Sequence, residues 1–157
     1  MTIARSRIGA DPPSVIATLE WELVLLVRAL EAVQRRRSYP LDRAHYLLLG
    51  LLEREGPQSI AALATALLLD GSTVTRQVAT MEDQGLVEKQ PHPQDGRSAL
   101  IFATPRGLRE AAKMRELRLR RVKALFRGWD GKDRATFAAL LARFNVSLSE
   151  ALSASEP

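Results

Sequence analysis

The apolar residues of this chain change period once, between residues 86 and 104. Before Gln84 and after Thr104 they recur at the three- and four-residue steps of amphipathic helices. Between these positions two short runs, 86–90 and 98–104, are typical of strands, and they flank a polar tip at 91–97. One hairpin set into a helical chain predicts a mainly α fold with a small β-hairpin.

Side-chain oxygens and prolines mark the starts of the predicted helices, because they suit the unpaired N–H groups of an open helix end. Gly56 with Pro57, and Gly85, mark helix ends. The predicted helices cover about 12–36 after Asp11, 42–53, a short segment from Ser59, 71–84 after Asp70, about 105–127, and a last segment from Asp130. Two short helices joined by a tight turn and followed by a β-ribbon are typical of a winged helix-turn-helix.

Apolar spacing predicts the buried side of each helix. The helix over 12–36 carries apolar residues outside a single stripe, so we expect it to contact a second subunit as well as its own chain. The expected inward sets are Leu47, Leu48, Leu51 and Leu52 in the second helix, and Leu108, Ala111, Ala112, Leu119, Val122 and Phe126 in the helix after the hairpin. In the last helix the apolar residues form a stripe of Phe137, Leu140, Leu141, Phe144, Leu148 and Leu152.

The segment from Asp70 to Met81 divides into an apolar and a polar side. Val74, Val78 and Met81 recur at helical steps and are expected to pack inward. Hydroxyls, amides and a guanidinium occupy the rest, and such groups at a helix N-terminus donate to phosphates and base edges. We expect Thr73, Arg76 and Gln77 to read bases and Ser72, Thr75 and Thr80 to contact phosphate. A solvated helix face with a good cap is the alternative.

The hairpin tip supplies a second candidate contact to a nucleic acid. Lys89 and His92 flank it, and it ends in Asp95, Gly96 and Arg97. An arginine carried on such a tip reaches an adjacent minor groove, and a neighbouring carboxylate orients it. We therefore assign DNA contacts to Lys89 and Arg97 and an orienting role to Asp95. An ordinary exposed turn is the alternative, because Asp-Gly is common in hairpins.

Composition narrows the classes of protein that this chain belongs to. A net charge of +5 and a pI near 10.2 suit a polyanionic partner. The chain has no cysteine, which excludes disulfides, thiolate nucleophiles and cysteine-bound zinc. His45 and His92 lack a metal-ligand spacing, and neither a phosphate-binding loop nor a nucleophile elbow is present. We therefore expect no enzyme, no cofactor and no metal.

Two further features are interpreted from composition. The apolar runs are shorter than the roughly 20 residues that span a bilayer, so we expect no membrane contact and a cytoplasmic protein. The cations between Arg115 and Arg127 are spread around their helix, which predicts a solvated and partly ion-paired surface.

The run from about Leu41 to Gly107 resembles the MarR family of winged helix-turn-helix transcriptional regulators. The matching segments are Leu63-Ala64, Ser72 to Arg76, Met81-Glu82 followed by Gly85 to Val87, Asp95 to Arg97, and Thr104 to Gly107. The sequence departs from the family at the wing, where Gly96 replaces an arginine. Met81 and Ala103 also stand where leucine is common.

The resemblance implies a homodimer built from both chain termini that binds a pseudopalindromic operator in double-stranded DNA. On this basis we expect an N-terminal dimerisation helix at 11–37, a winged helix-turn-helix at 41–104 with recognition helix 71–84 and wing 86–104, and C-terminal dimerisation helices at 105–153. The expected function is a sequence-specific, DNA-binding transcriptional regulator, either a repressor or a dual regulator. The alternative is a dimeric helical module whose winged domain binds a protein.

The resemblance also implies a small-molecule effector held in a crevice between the dimerisation and DNA-binding parts. Trp21, His45 and Tyr46 are candidates for lining it, and an aromatic or anionic effector would suit them. Packing roles for all three residues are the alternative.

Overall fold

The computed structural model describes residues 14–35, 39–92 and 95–154 of the 157-residue chain. These residues form six helices and three strands. In chain order they are α1 (Val15–Arg35), α2 (Arg43–Glu55), β1 (Gln58–Ser59), α3 (Ile60–Leu67), α4 (Gly71–Asp83), β2 (Val87–His92), β3 (Asp95–Ala103), α5 (Pro105–Leu125) and α6 (Gly131–Ala154). The mainly α fold with a small β-hairpin is confirmed.

The helix α1 belongs to one compact unit, and the elements from Tyr39 onward form another. The predicted start of α1 near Pro12 is wrong, because Ser14 precedes the helix and its Oγ accepts a hydrogen bond from the Ala17 N–H at 3.1 Å. A serine oxygen caps a helix as well as an aspartate does, and spacing alone did not separate the two. The predicted cap at Asp11, with Pro12 and Pro13, lies outside the described residues. Most apolar side chains of α1 are exposed.

The other predicted helix starts are confirmed by their hydrogen bonds. Asp42 Oδ1 accepts from the His45 N–H at 2.8 Å, and Ser59 Oγ accepts from the Ala62 N–H at 3.1 Å. Asp70 and Thr104 cap α4 and α5 in the same way. Gly85 has φ of 66°, the left-handed conformation that glycine adopts without strain, and so it ends the turn after α4.

The core of the second unit is formed by α2, α3, α4, the sheet and the first half of α5. Its fully buried side chains include Leu48, Leu49, Leu63, Val74, Val78, Met81, Ile101 and Met114. The prediction for α2 is wrong at one position, because Leu47 is exposed and Leu49 is buried instead. The unbroken run of leucines from 47 to 49 fits either choice, so spacing did not select the buried face.

The predicted inward face of α5 holds only over its first half. Ala111 is buried, as expected, and Met114 is the last buried residue of this helix. Ala112, Leu119 and Val122 were assigned to the inside, but they are exposed. The helix extends past the core. Phe126, directly after its end, is half-buried and packs on the rings of Trp129 and Phe137, with centroids 5.0 and 5.5 Å away.

The sheet has three antiparallel strands in the order β1-β3-β2, and the short β1 was not predicted. Gln58 pairs with Ile101, so β1 lies on the free side of β3. The hairpin tip is shorter than the predicted 91–97, because β2 continues to His92, which pairs with Asp95. Pro91 fits in β2 because β2 is an edge strand and the register shifts next to this proline. Residues 93–94 lie outside the described residues.

Candidate nucleic-acid interface

Helix α4 is anchored on one side and open on the other. Val74, Val78 and Met81 are each at most 1% exposed. Ser72, Thr75, Arg76 and Thr80 are exposed, and Thr73 and Gln77 are half-buried. The division that the sequence predicts, with an apolar side packed inward, is confirmed. The polar residues therefore form an accessible face, which we call the α4 polar face (Ser72, Thr73, Thr75, Arg76, Gln77 and Thr80).

The Asp70 carboxylate organises the first turn of α4. It accepts hydrogen bonds from the Ser72 hydroxyl, from the Thr73 backbone N–H at 2.8 Å and from the Thr73 hydroxyl at 2.7 Å. These three donors lower the pKa of Asp70, the Ser72 hydroxyl having the largest effect, so the carboxylate stays charged through the neutral range. Its negative charge also suits the positive end of the helix dipole.

The threonine hydroxyls of α4 donate to the protein itself. Thr75 Oγ1 donates to the Gly71 carbonyl at 2.8 Å, and Thr80 Oγ1 donates to the Arg76 carbonyl at 3.1 Å. Thr73 Oγ1 donates to Asp70 and accepts a long hydrogen bond from Arg76 Nη2 at 3.5 Å. A phosphate oxygen only accepts hydrogen bonds, so these hydroxyls would have to rotate before donating to it. Arg76 is the charged donor of this face.

Gln77 faces a cleft between α4 and the start of α2. The cleft has a volume of about 410 Å³, and Asp42, His45, Arg76 and Gln77 are among the residues that line it. Gln77 Oε1 is buried, and it accepts no hydrogen bond from the part of the chain that the structure describes. His45 is 6% exposed, and its Nδ1 lies 3.3 Å from Asp42 Oδ2. A position of Asp42 and His45 beside α4 was not predicted, because only the packing of α2 on α4 brings them there.

The hairpin, or wing, is joined to the end of α4 by an ion pair. Lys89 Nζ on β2 lies 3.0 Å from Glu82 Oε2 on α4. This ion pair partly neutralises the charge of Lys89, which is one of the predicted DNA contacts. Asp95 and Arg97 belong to β3, in which Asp95 pairs with His92, but their side chains lie outside the described part of the chain.

The three candidate effector residues lie in different surroundings. Trp21, on α1, is 57% exposed. Tyr46 is half-buried, and Arg118 of α5 lies over its ring at 5.2 Å from the centroid. His45 instead faces α4, so His45 and Tyr46 lie on different sides of α2.

Residues 14–35, 39–92 and 95–154 contain neither a cluster of metal-binding side chains nor a helix that could span a membrane. No group of three or more His, Cys, Asp or Glu side chains in these ranges is arranged to hold a metal ion. No helix in them has both the length and the hydropathy needed to cross a bilayer.

Comparison with known proteins relates this geometry to one family. Residues 39–98 match the model of the MarR family. The chain is 31% identical over 132 residues to the uncharacterized HTH-type transcriptional regulator YxaD of Bacillus subtilis, covering 83% of this chain and 92% of the relative.

Two solved structures have the same fold. A MarR family protein from Bacillus stearothermophilus superposes with a TM-score of 0.74 at 22% identity, over 89% of this chain and 99% of the other. The PcaV transcriptional regulator of Streptomyces coelicolor, in complex with its natural ligand, superposes with a TM-score of 0.66 at 22% identity, over 90% and 99%. The family match, the relative and the winged fold agree, and the chain belongs to the MarR family of transcriptional regulators.

Proposed function

We propose that the protein is a homodimeric repressor that binds a pseudopalindromic operator by placing one α4 from each subunit in successive major grooves. The observation that carries this proposal is the α4 polar face, held outward by three buried apolar residues. A helix presented in this way beside a β-hairpin is the arrangement with which winged helix-turn-helix proteins contact DNA.

Within this proposal each polar residue has a defined role. Arg76 donates two hydrogen bonds to a guanine, and Thr73 contacts a neighbouring base. Gln77 contacts another base once its buried amide oxygen turns out of the cleft beside α2. Ser72, Thr75 and Thr80 contact phosphates once their hydroxyls turn away from the protein. Arg97, oriented by Asp95, enters the minor groove, and Lys89 approaches the phosphate backbone from the other strand of the wing. The net charge of +5 favours association with DNA.

Dimerisation is supported by the apolar residues that the single chain leaves exposed. On α6 they are Phe137, Leu140, Leu141, Phe144, Leu148 and Leu152, which are 39–57% exposed and recur at helical steps. Soluble monomers rarely expose an apolar stripe of this length, so a second copy of the chain is the proposed cover. The apolar residues of α1 are exposed in the same way and are assigned the same role.

We also propose that a small molecule relieves repression. The PcaV regulator, which shares the fold, was solved with its natural ligand. Trp21, His45 and Tyr46 are the candidate contacts for an aromatic or anionic effector. An effector acts only if it binds one arrangement of the dimer more tightly than the other.

The test is selection of duplexes from a randomised library by the full chain, followed by fluorescence anisotropy at several salt concentrations. We expect the affinity to fall about 10³-fold between roughly 50 and 200 mM salt, because phosphate contacts release counterions. Absence of duplex binding, with capture of a protein partner by the same preparation, would favour the protein-binding module instead.

Two substitutions test the residue assignments. Arg76→Ala should relax the preference for one base pair by about 1–3 kcal/mol, and Arg143→Ala, an exposed arginine on α6, should leave binding unchanged. If Arg76→Ala weakens binding to all sequences equally, Arg76 contacts phosphate rather than a base. An Arg97→Ala variant with the parent's affinity would remove the wing from the proposal.

A further inference from the structure

Three arginines on one side of α5 contact α2 and the residues before it in a regular series. Arg115 forms a two-pronged ion pair with Glu53, joining its Nη2 to Oε2 and its Nη1 to Oε1 at 3.4 Å. The Arg118 guanidinium lies over the Tyr46 ring at 5.2 Å, and that of Arg121 lies over the Tyr39 ring at 4.3 Å from the centroid. We call these three contacts the arginine ladder.

The order of the contacts indicates that α5 runs antiparallel to α2 and the residues before it. The arginines step by three along α5, whereas their partners Glu53, Tyr46 and Tyr39 step back by seven along α2 and the residues before it. The prediction of a solvated and partly ion-paired surface holds for Arg115, which is ion-paired, and for Arg118, which is exposed. Arg121 departs from it, because its Nη1 is buried. The prediction also holds for Arg120, which pairs with Glu116 on its own helix at 2.9 Å.

The ladder contains groups that fix orientation. A planar guanidinium stacks flat on an aromatic ring, and a two-pronged carboxylate pair sets the plane of Arg115. Arg121 Nη1 is buried without a hydrogen-bond partner in the described part of the chain, and the Arg121 guanidinium lies over the Tyr39 ring. Tyr39 and Tyr46 also pack against the core that anchors α4. The ladder thus links the direction of α5 to the body that carries α4.

We propose that Arg115, Arg118 and Arg121 are positioning residues, which fix the angle between α5 and the winged domain and thereby set the half-site spacing that the dimer accepts. This inference rests on the proposed function, in which α5 leads into the dimer interface. One added base pair rotates a half-site by roughly 35° and moves it by about 3.4 Å, so a rigid dimer tolerates it poorly.

The experiment compares three duplexes that contain the selected half-sites at their natural separation, with one base pair inserted and with one removed. The ladder variant is Arg118→Gln with Arg121→Gln. The control is Arg120→Gln with Lys123→Gln, which removes the same charge from exposed positions of α5. Circular dichroism melting and light scattering establish that each protein is folded and dimeric.

For the parent and the control we expect the natural spacing to bind about tenfold more tightly than the altered spacings. For the ladder variant we expect this ratio to fall to about threefold or less, because the winged domains reorient more freely. If the glutamine variant does not fold, Arg118→Lys with Arg121→Lys is judged by the same criterion, since lysine keeps the charge and loses the planar stacking.

The inference is overturned if the ladder variant prefers the natural spacing over the altered spacings as strongly as the parent does. This holds even if the dissociation constants for all three duplexes rise together. That result would show that the arginines contribute only stability or general positive charge, and the proposed function would stand. If the parent binds no duplex from the randomised library, the proposed function is overturned, and the role assigned to the ladder is overturned with it.

Discussion

Among the glycines that the structure describes, Gly107 is the one that tolerates a side chain least. It lies in the first turn of α5, and a Cβ added there would overlap the Leu86 carbonyl oxygen and approach Leu49 Cδ2 to 2.9 Å. The absence of a side chain therefore lets α5 pack directly on the chain segment that links α4 to β2.

Gly107→Ala should lower the free energy of unfolding by about 1–3 kcal/mol, because backbone atoms have to move to admit the methyl group. Gly50→Ala is the matched control, since a Cβ at this position in α2 meets no atom within 4 Å. Alanine forms helix better than glycine, so the control should be stabilised by up to about 1 kcal/mol. Urea denaturation of both variants measures the difference. Equal effects at the two positions would contradict the close packing described for Gly107.

At the scale of the element, the start of α4 depends on the charge of Asp70. The pKa of this carboxyl is lowered by hydrogen bonds from Ser72 and Thr73, so Asp70 stabilises the folded state most at pH values above its ordinary pKa of roughly 3.9. That contribution decreases as the pH falls below this value, towards the lowered pKa of the folded protein.

Asp70→Asn keeps a cap oxygen and removes the charge. The parent should be more stable than this variant at pH 7, and the difference should shrink as the pH is lowered from about 4 to about 2. Urea denaturation at a series of pH values measures it. A difference that stays constant across this range would show that the lowered pKa of Asp70 does not contribute to stability.

The starts of the elements could be predicted from sequence, whereas several contacts between elements could not. Asp42, Ser59, Asp70 and Thr104 are local signals, because a cap needs only its own residue and the next three. The buried face of α2 was not determined by spacing, since its leucines are contiguous. The arginine ladder lay beyond local patterns, because Arg115 and Glu53 are 62 positions apart.

The candidate site shows the same division. The apolar and polar sides of α4 follow from helical periodicity and could be predicted. The burial of Gln77 Oε1 and the position of His45 beside α4 depend on how two helices pack, so the sequence did not indicate them. The hydroxyls of Thr75 and Thr80 donate to carbonyls of their own helix. These hydrogen bonds depend on the side-chain rotamer, which the residue type does not determine.

At the scale of the whole molecule, dimerisation should depend on the apolar stripe of α6. Phe144→Glu introduces a charge into this stripe, which would be desolvated on assembly, so we expect the variant to be monomeric at concentrations where the parent is dimeric. Ala139→Glu adds the same charge on the opposite face of α6 and should remain dimeric. Analytical ultracentrifugation distinguishes the two. A dimeric Phe144→Glu variant would remove this part of the stripe from the proposed interface.

In the proposed complex, two copies of α4 enter successive major grooves of one operator. A hydroxyl-radical footprint of the full chain on the selected duplex tests this arrangement. We expect two protected half-sites related by a dyad, with centres about 10–10.5 base pairs, or roughly 34 Å, apart. A single protected site, or no protection at concentrations where the protein is dimeric, would contradict it.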